Sequence, residues 1–447
     1  MKYLVFAITL FISGLCAADV DDTSSEVDVR RLSLPEATLL WQKKNREVQL
    51  SRDQVDVAAA AKLGSGQRPN PQLSFNSASI HHPDNPFPHG ADSIVRIDQM
   101  IERGNKRDLR VRAADLQLNA AKNDFDDSRR QGLINLEQAY YDLMMAQEVA
   151  QIARDNAGLF AKTREASQLR VKSGDLSPAD LSRIDVDALR AENDVQVAQN
   201  GLLQAQLALA YQMGVESDAA IVRVRDSWPS VAFIAMPSED ELHFALENRP
   251  DVQAARKRVD AADAAFDLAQ ALRKRDVTVG MQVEHNGDNR PMNSVGFGIS
   301  VPLMTGYEYE GEIARAQADV RTANDTLEQV RALARNDMRR AYGDFSAASA
   351  RIARYEGELL QAANRAVAAA EFGYQHGAIS LTDLLDARRT HKATLVDAAI
   401  ARADYAKALA AWTLSINPSI AVTAVSFSTT SSLPEEHPPV IISGNPQ

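Results

Sequence analysis

Asp383 and Asp386 stand three residues apart in GAISLTDLLDARR, a stretch that reads as a turn followed by the first turns of a helix. That spacing puts both carboxylates on one helical face. In a trimer they would form two stacked rings of three acids, and crowded carboxylates at a narrow aperture attract cations. Acids in a first helical turn also complement the helix dipole, so a solvated helix start is the other reading.

The turn before them belongs to a motif that occurs twice. Gly174, Leu176, Ser177 and Asp180 lie in SGDLSPADL; Gly377, Ile379, Ser380 and Asp383 lie in HGAISLTDL. Glycine permits the left-handed backbone that ends one helix, and serine with an acid three residues on caps the next. Each copy predicts the tip of a helical hairpin, and capping alone accounts for every residue in it. The copies differ in that Arg183 occupies the place of Asp386 in the first.

Other chemistry finds little foothold. His81, His82 and His89 fall in HHPDNPFPHGAD between two expected strands, which reads as a surface loop, and the chain has no CxxC or HExxH. No metal site is therefore expected. GSGQ at Gly64 lacks the lysine and preceding strand of a phosphate loop, and there is no GxSxG, so neither catalysis nor a cofactor is expected. A net charge of -11 and a pI near 5.3 argue against a nucleic-acid partner.

These residues are positioned by a plan that is written twice. Tyr140 in YYDLM is echoed by Tyr342 in YGDFS, Gly104 in IERGNKR by Gly306 in LMTGYEY, Gly174 by Gly377, and KNREVQ by ENRPDVQ, all at offsets of about 200 residues. Each copy reads as helix, strand, strand, very long helix, turn, long helix. The opening helix is expected over residues 35–62, and proline-free ascending helices over 105–171 and 307–374. Such rods would be about 100 Å long.

The return helix carries Leu181, Ile184, Ala188, Ala191, Val195, Ala198, Leu202, Ala205 and Leu209, a coiled-coil seam rich in alanine; Val396, Ala399, Ala403, Ala406 and Ala410 repeat it. Between the helices Val277, Val279, Met281 and Val283, then Val295, Phe297, Ile299 and Val301, alternate with polar or small residues, as Leu73, Phe75, Val95 and Ile97 do less cleanly. That alternation is how lipid-facing and lumen-facing residues follow one another in a membrane barrel. Strands of about ten residues fit a tilted crossing. Four cannot close a barrel, whereas three chains would supply twelve.

Residues 1–18 read as a secretory signal peptide cut after Ala18, with lipidation of Cys16, the only cysteine, as the alternative. The expected divisions are 19–217 for the first repeat, 218–236 for a linker, 237–416 for the second repeat and 417–447 for a partly disordered tail. SWPSVAFIAMPS, around the end of the linker, is expected to add a short strand at the waist.

The duplicated plan, RPNPQL, IERGNKR and the tips VKSGDLSPADL and YQHGAISLTDLLDA together resemble the TolC-type outer-membrane efflux proteins, most nearly their CzcC-like heavy-metal division. The resemblance runs over residues 32–416. It implies a mixed α/β membrane protein: a homotrimer whose long coiled-coil hairpins form an α-barrel in the periplasm below a 12-stranded transmembrane β-barrel in the outer membrane.

It further implies a passive exit duct, docked on a periplasmic adaptor (a membrane fusion protein) and an inner-membrane RND-type pump, and no enzyme. Gly174, Leu176, Ser177, Gly377, Ile379 and Ser380 correspond to adaptor-docking positions. Asp383 and Asp386 correspond to the constriction aspartates, and Tyr374 to a tyrosine of the closing network, but Ile379 stands where the network has an arginine. A periplasmic adaptor and a soluble coiled-coil scaffold are the rival readings; one has a single hairpin, and the other explains neither the signal nor the strands.

Overall fold

Ser33 opens the first helix through a reciprocal cap: Glu36 accepts from the Ser33 amide at 2.7 Å and from its hydroxyl at 2.8 Å. The computed structural model describes residues 28–78, 92–232, 234–286 and 292–417. The expected signal peptide with Cys16, the histidines 81, 82 and 89, and the tail from 418 onward lie outside the described residues.

The first repeat contains α1 (Leu34–Lys44), α2 (Arg46–Ser65), β1 (Gln72–Ala78), β2 (Asp92–Ile101), α3 (Lys106–Ser173) and α4 (Pro178–Met213); the second contains α5 (Glu239–Glu247), α6 (Pro250–Ala271), β3 (Val277–Asn286), β4 (Met292–Ser300), α7 (Glu310–Arg354), α8 (Leu360–Gln375) and α9 (Leu381–Ile416). The chain order is thus the expected one, with three corrections.

The opening helix is not continuous over 35–62. Asn45 breaks it, with its side chain accepting from the Val48 amide at 3.0 Å and donating to the Gln212 carbonyl at 2.8 Å. An asparagine that bonds locally offers the backbone an alternative to the helical ladder. The second repeat breaks at the matching place, where Pro250 begins α6. The second ascending rod is also interrupted, by a five-residue π-helical stretch, Tyr355–Leu359, between α7 and α8. Finally, among the described residues of 227–238 there is no strand; the only bridge nearby joins Leu32 to Val224.

Helix packing forms two four-helix layers that share α3 and the α7–α8 rod. Above the waist the neighbours run α2, α3, α6, α7; below it they run α4, α3, α9 and then α7 with α8. The waist is cored by Trp41, Tyr140, Leu143, Leu209 and Met213, and a second cluster by Phe345, Tyr405 and Trp412. Two tyrosines fasten the connecting segment. Tyr140 donates to Asp226 at 2.8 Å, and Tyr405 donates to the Ser230 carbonyl at 3.1 Å while accepting from the Ala232 amide at 2.8 Å.

The strands form one antiparallel sheet in the order β1-β2-β3-β4. Register stacks the apolar residues in rows across it: Leu73 beside Ile97, Met281 and Phe297, then Phe75 beside Val95, Val283 and Val295. All of these are exposed, with Phe297 at 83% and Leu73 at 74%. One whole face is therefore hydrophobic and uncovered in the single chain, and β1 and β4 each leave an unpaired edge. Among the described residues no helix is long and apolar enough to cross a membrane.

Candidate functional site: the two hairpin tips

Both tips adopt the geometry their sequence dictates. Gly174 takes φ 83° and Gly377 φ 73°, so each ascending helix ends in a left-handed residue that a side chain would strain. The next amides fold back, Asp175 to the Arg170 carbonyl and Ala378 to the Gly373 carbonyl, each at 2.8 Å. Ser177 then accepts from the Asp180 amide at 3.1 Å, and Ser380 from the Asp383 amide at 3.2 Å, which starts α4 and α9.

The candidate docking residues divide by exposure. Gly174, Ser177, Gly377 and Ser380 lie open to solvent, whereas Leu176 and Ile379 are half-buried. Leu176 packs with Tyr374 on a small core of Phe160, Ile184, Ala188, Ala191, Leu381 and Leu385, and Ile379 lies over Gly373. This core joins the two hairpins of one chain near their ends.

The two acids have different surroundings. Asp383 accepts through one oxygen from the Ser380 amide at 3.1 Å and hydroxyl at 2.7 Å, so it is a cap in fact as well as in spacing. Asp386 accepts from Arg389 Nη1 at 3.1 Å. Both side chains are exposed on one face. Tyr374 accepts from Arg170 at 3.4 Å, and the same guanidinium lies 5.9 Å from its ring centroid.

Sequence reasoning overlooked a set of cations that tie one hairpin to the other. Arg389 Nη2 donates to both oxygens of buried Asp187 at 2.7 and 2.8 Å, and this bond raises the pKa of the arginine. Arg388 spans from Glu371 at 3.0 Å to Thr163 at 3.1 Å, Lys392 pairs with Asp194, and Arg183 reaches Thr382 at 3.4 Å. The only signal for these in the sequence is a run of basic residues, Arg388, Arg389 and Lys392, opposite acids at a similar height in α4.

Among the described residues no group of three or more His, Cys, Asp or Glu is placed to hold a metal ion. The charged groups at the tips are paired with one another across the two hairpins.

Residues 242–417 match the model of the outer membrane efflux protein family. The match falls on the second half of the chain, from α5 to the end of α9. It is 27% identical over 301 residues to the cobalt-zinc-cadmium resistance protein CzcC of Cupriavidus metallidurans, covering 67% of this chain and 70% of that one. Among solved structures it is similar to the outer membrane channel CmeC of Campylobacter jejuni, at TM-score 0.72 and 16% identity over 88% of this chain and 87% of the other. It is also similar to the outer membrane protein VceC of Vibrio cholerae, at TM-score 0.68 and 19% identity over 86% and 95%. The fold is thus the one that these outer membrane proteins share.

Proposed function

We propose that three copies of this chain assemble into the exit duct of a tripartite efflux system, with a 12-stranded barrel in the outer membrane above a periplasmic helical tunnel. The observation that carries this reading is the four-stranded sheet, apolar and exposed across one face and open at both edges. An exposed apolar face needs lipid, and unpaired edges need strands. Pairing β1 of one copy with β4 of the next satisfies both and leaves no edge.

The helical layers support the same symmetry. Their outermost members are uncovered, and α4 exposes Val186, Leu189, Val197, Leu203, Leu207 and Tyr211 at helical spacing. On the opposite border the α7–α8 rod exposes Leu333, Leu359 and Phe372. A neighbouring copy would set one border against the other. In this arrangement residues 19–217 and 237–416 are the two wall-forming repeats joined by 218–236.

The cargo is a heavy-metal cation, expelled by an inner-membrane pump through a periplasmic adaptor that docks at the tips through Gly174, Leu176, Ser177 and their counterparts Gly377, Ile379 and Ser380. The support for the metal is the likeness to a cobalt-zinc-cadmium resistance protein. Asp383, Asp386 and Tyr374 form the gate at the periplasmic end.

Outer-membrane fractionation followed by gel analysis of unheated and heated samples tests the duct. A heat-modifiable trimer in that fraction is expected, and a purely soluble periplasmic pool would overturn the reading. Loss of resistance to zinc, cobalt or cadmium in a deletion strain tests the cargo; unchanged metal tolerance with drug sensitivity instead would refute it.

A further inference from the structure

On the face of the sheet opposite the apolar rows, Arg96 donates through Nε to both oxygens of Asp98 at 2.9 and 2.8 Å. The pair lies along the wall. Asp98 is in register with Gly280 and Gly298, and a Cβ built on Gly280 would collide with the Asp98 carboxylate and come within 3.1 Å of the Arg96 guanidinium. The guanidinium also lies 3.5 Å from where a Cβ on Gly298 would be. Two glycines on adjacent strands thus leave a shallow bed, and the charged pair fills it.

The charges around this pair are unbalanced. On this face of the four strands Arg96 is the sole cation among the described side chains, while Asp98 and Glu284 are both acids. We propose that Arg96 sets the ion preference of the barrel lumen by holding Asp98 neutralised against the wall, so that multivalent cations pass without being retained. This rests on the duct reading above, in which the apolar face meets lipid and this face lines the pore. Without Arg96, three copies would present a ring of free Asp98 carboxylates in addition to Glu284. Rings of acids in a pore select and bind cations.

The test uses the full-length trimer in planar bilayers, on an Asp383→Ala/Asp386→Ala background so that the tip acids do not contribute. Reversal potentials are read in a potassium chloride gradient and block is read with zinc chloride added from the side opposite the tips. Arg96→Gln is expected to raise the preference for potassium over chloride several-fold and to introduce zinc block. Arg96→Gln with Asp98→Asn is expected to restore the parental values.

Gly280→Ala keeps every charge, displaces the carboxylate and crowds the guanidinium, so that the pair is pushed apart; it is expected to shift selectivity in the same direction by less, and it carries the test if Arg96→Gln fails to assemble. Conducting trimers of Arg96→Gln or Gly280→Ala with parental selectivity and no zinc block would overturn the proposal while leaving the duct intact. A parental trimer that does not conduct would overturn the duct reading and this inference with it.

Discussion

Arg389 grips Asp187 across the two hairpins, although the residues lie 202 positions apart in the chain. Asp187 is only 5% exposed, and while Arg190 stands 3.7 Å away, Arg389 holds both of its oxygens. The same guanidinium extends to Asp386. One arginine therefore links Asp187 of the first hairpin to Asp386 of the second.

Arg389→Ala is expected to loosen the tip. A buried carboxylate left without its cation is destabilising by several kcal/mol in the usual case, about 3–5 kcal/mol. Half of this arginine is solvent-exposed and Arg190 remains beside Asp187, so the effect here belongs below that range. Single-channel recording should show a higher conductance or more frequent opening than the parent, and the Asp187→Asn/Arg389→Gln pair should recover assembly better than Arg389→Ala alone. Parental gating in Arg389→Ala would remove the arginine from the lock.

Asp383→Ala with Asp386→Ala is expected to raise conductance and to reduce block by multivalent cations. Because Asp383 also caps α9, its single substitution should lower thermal stability by about 1 kcal/mol, whereas Asp386→Ala alone should not. Comparing the melting temperatures of the two single variants with their block constants separates the cap from the ring. Equal stability and unchanged block in both would leave neither role.

Glu137 predicts a pH dependence. Burial pushes its carboxyl up to about 7, from an ordinary 4.5. Between those values the folded chain keeps a proton that the unfolded chain has released, so stability falls as pH rises from about 4.5 to about 7 and then levels off. Glu137→Gln should abolish that slope and be the more stable protein above pH 7. Melting curves of the purified protein across this range measure it, and parallel profiles would refute it.

Tyr140→Phe removes the hydroxyl that reaches both Asp226 and the Leu32 carbonyl. The Leu32 carbonyl keeps the Arg225 amide and Asp226 keeps the Leu34 amide, so the loss should cost about 0.5–1.5 kcal/mol. The connecting segment around 226 should become susceptible to limited proteolysis while helix content stays unchanged. Wild-type resistance to protease would mean the segment is held elsewhere.

The architecture was legible because it rests on short-range periodicity. The two-residue alternation of Val279, Met281 and Val283 and the seam from Leu181 to Leu209 report their faces directly, and the glycines of the tips report a left-handed turn. What escaped depends on single residues or on distant pairs. Asn45 lies in an otherwise uninterrupted helical pattern, and its role as a break depends on a bond to Gln212, far along the chain. The π stretch at Tyr355–Leu359 has no proline or local signature to announce it. Arg389 and Asp187, like Arg96 and Asp98 on their glycine bed, become meaningful only when the hairpins or strands are set side by side.

The open edges of the sheet have a consequence for how the molecule matures. The helical layers bury their own cores within one chain, whereas β1 and β4 lack a partner in it. In the proposed trimeric duct, barrel closure would depend on the local concentration of subunits, and a lone subunit would carry a bare hydrophobic plate until it assembled. Such a subunit would need to be shielded or delivered promptly, and on the proposed reading its half-life before assembly, rather than the stability of its helices, would set how many ducts a cell obtains.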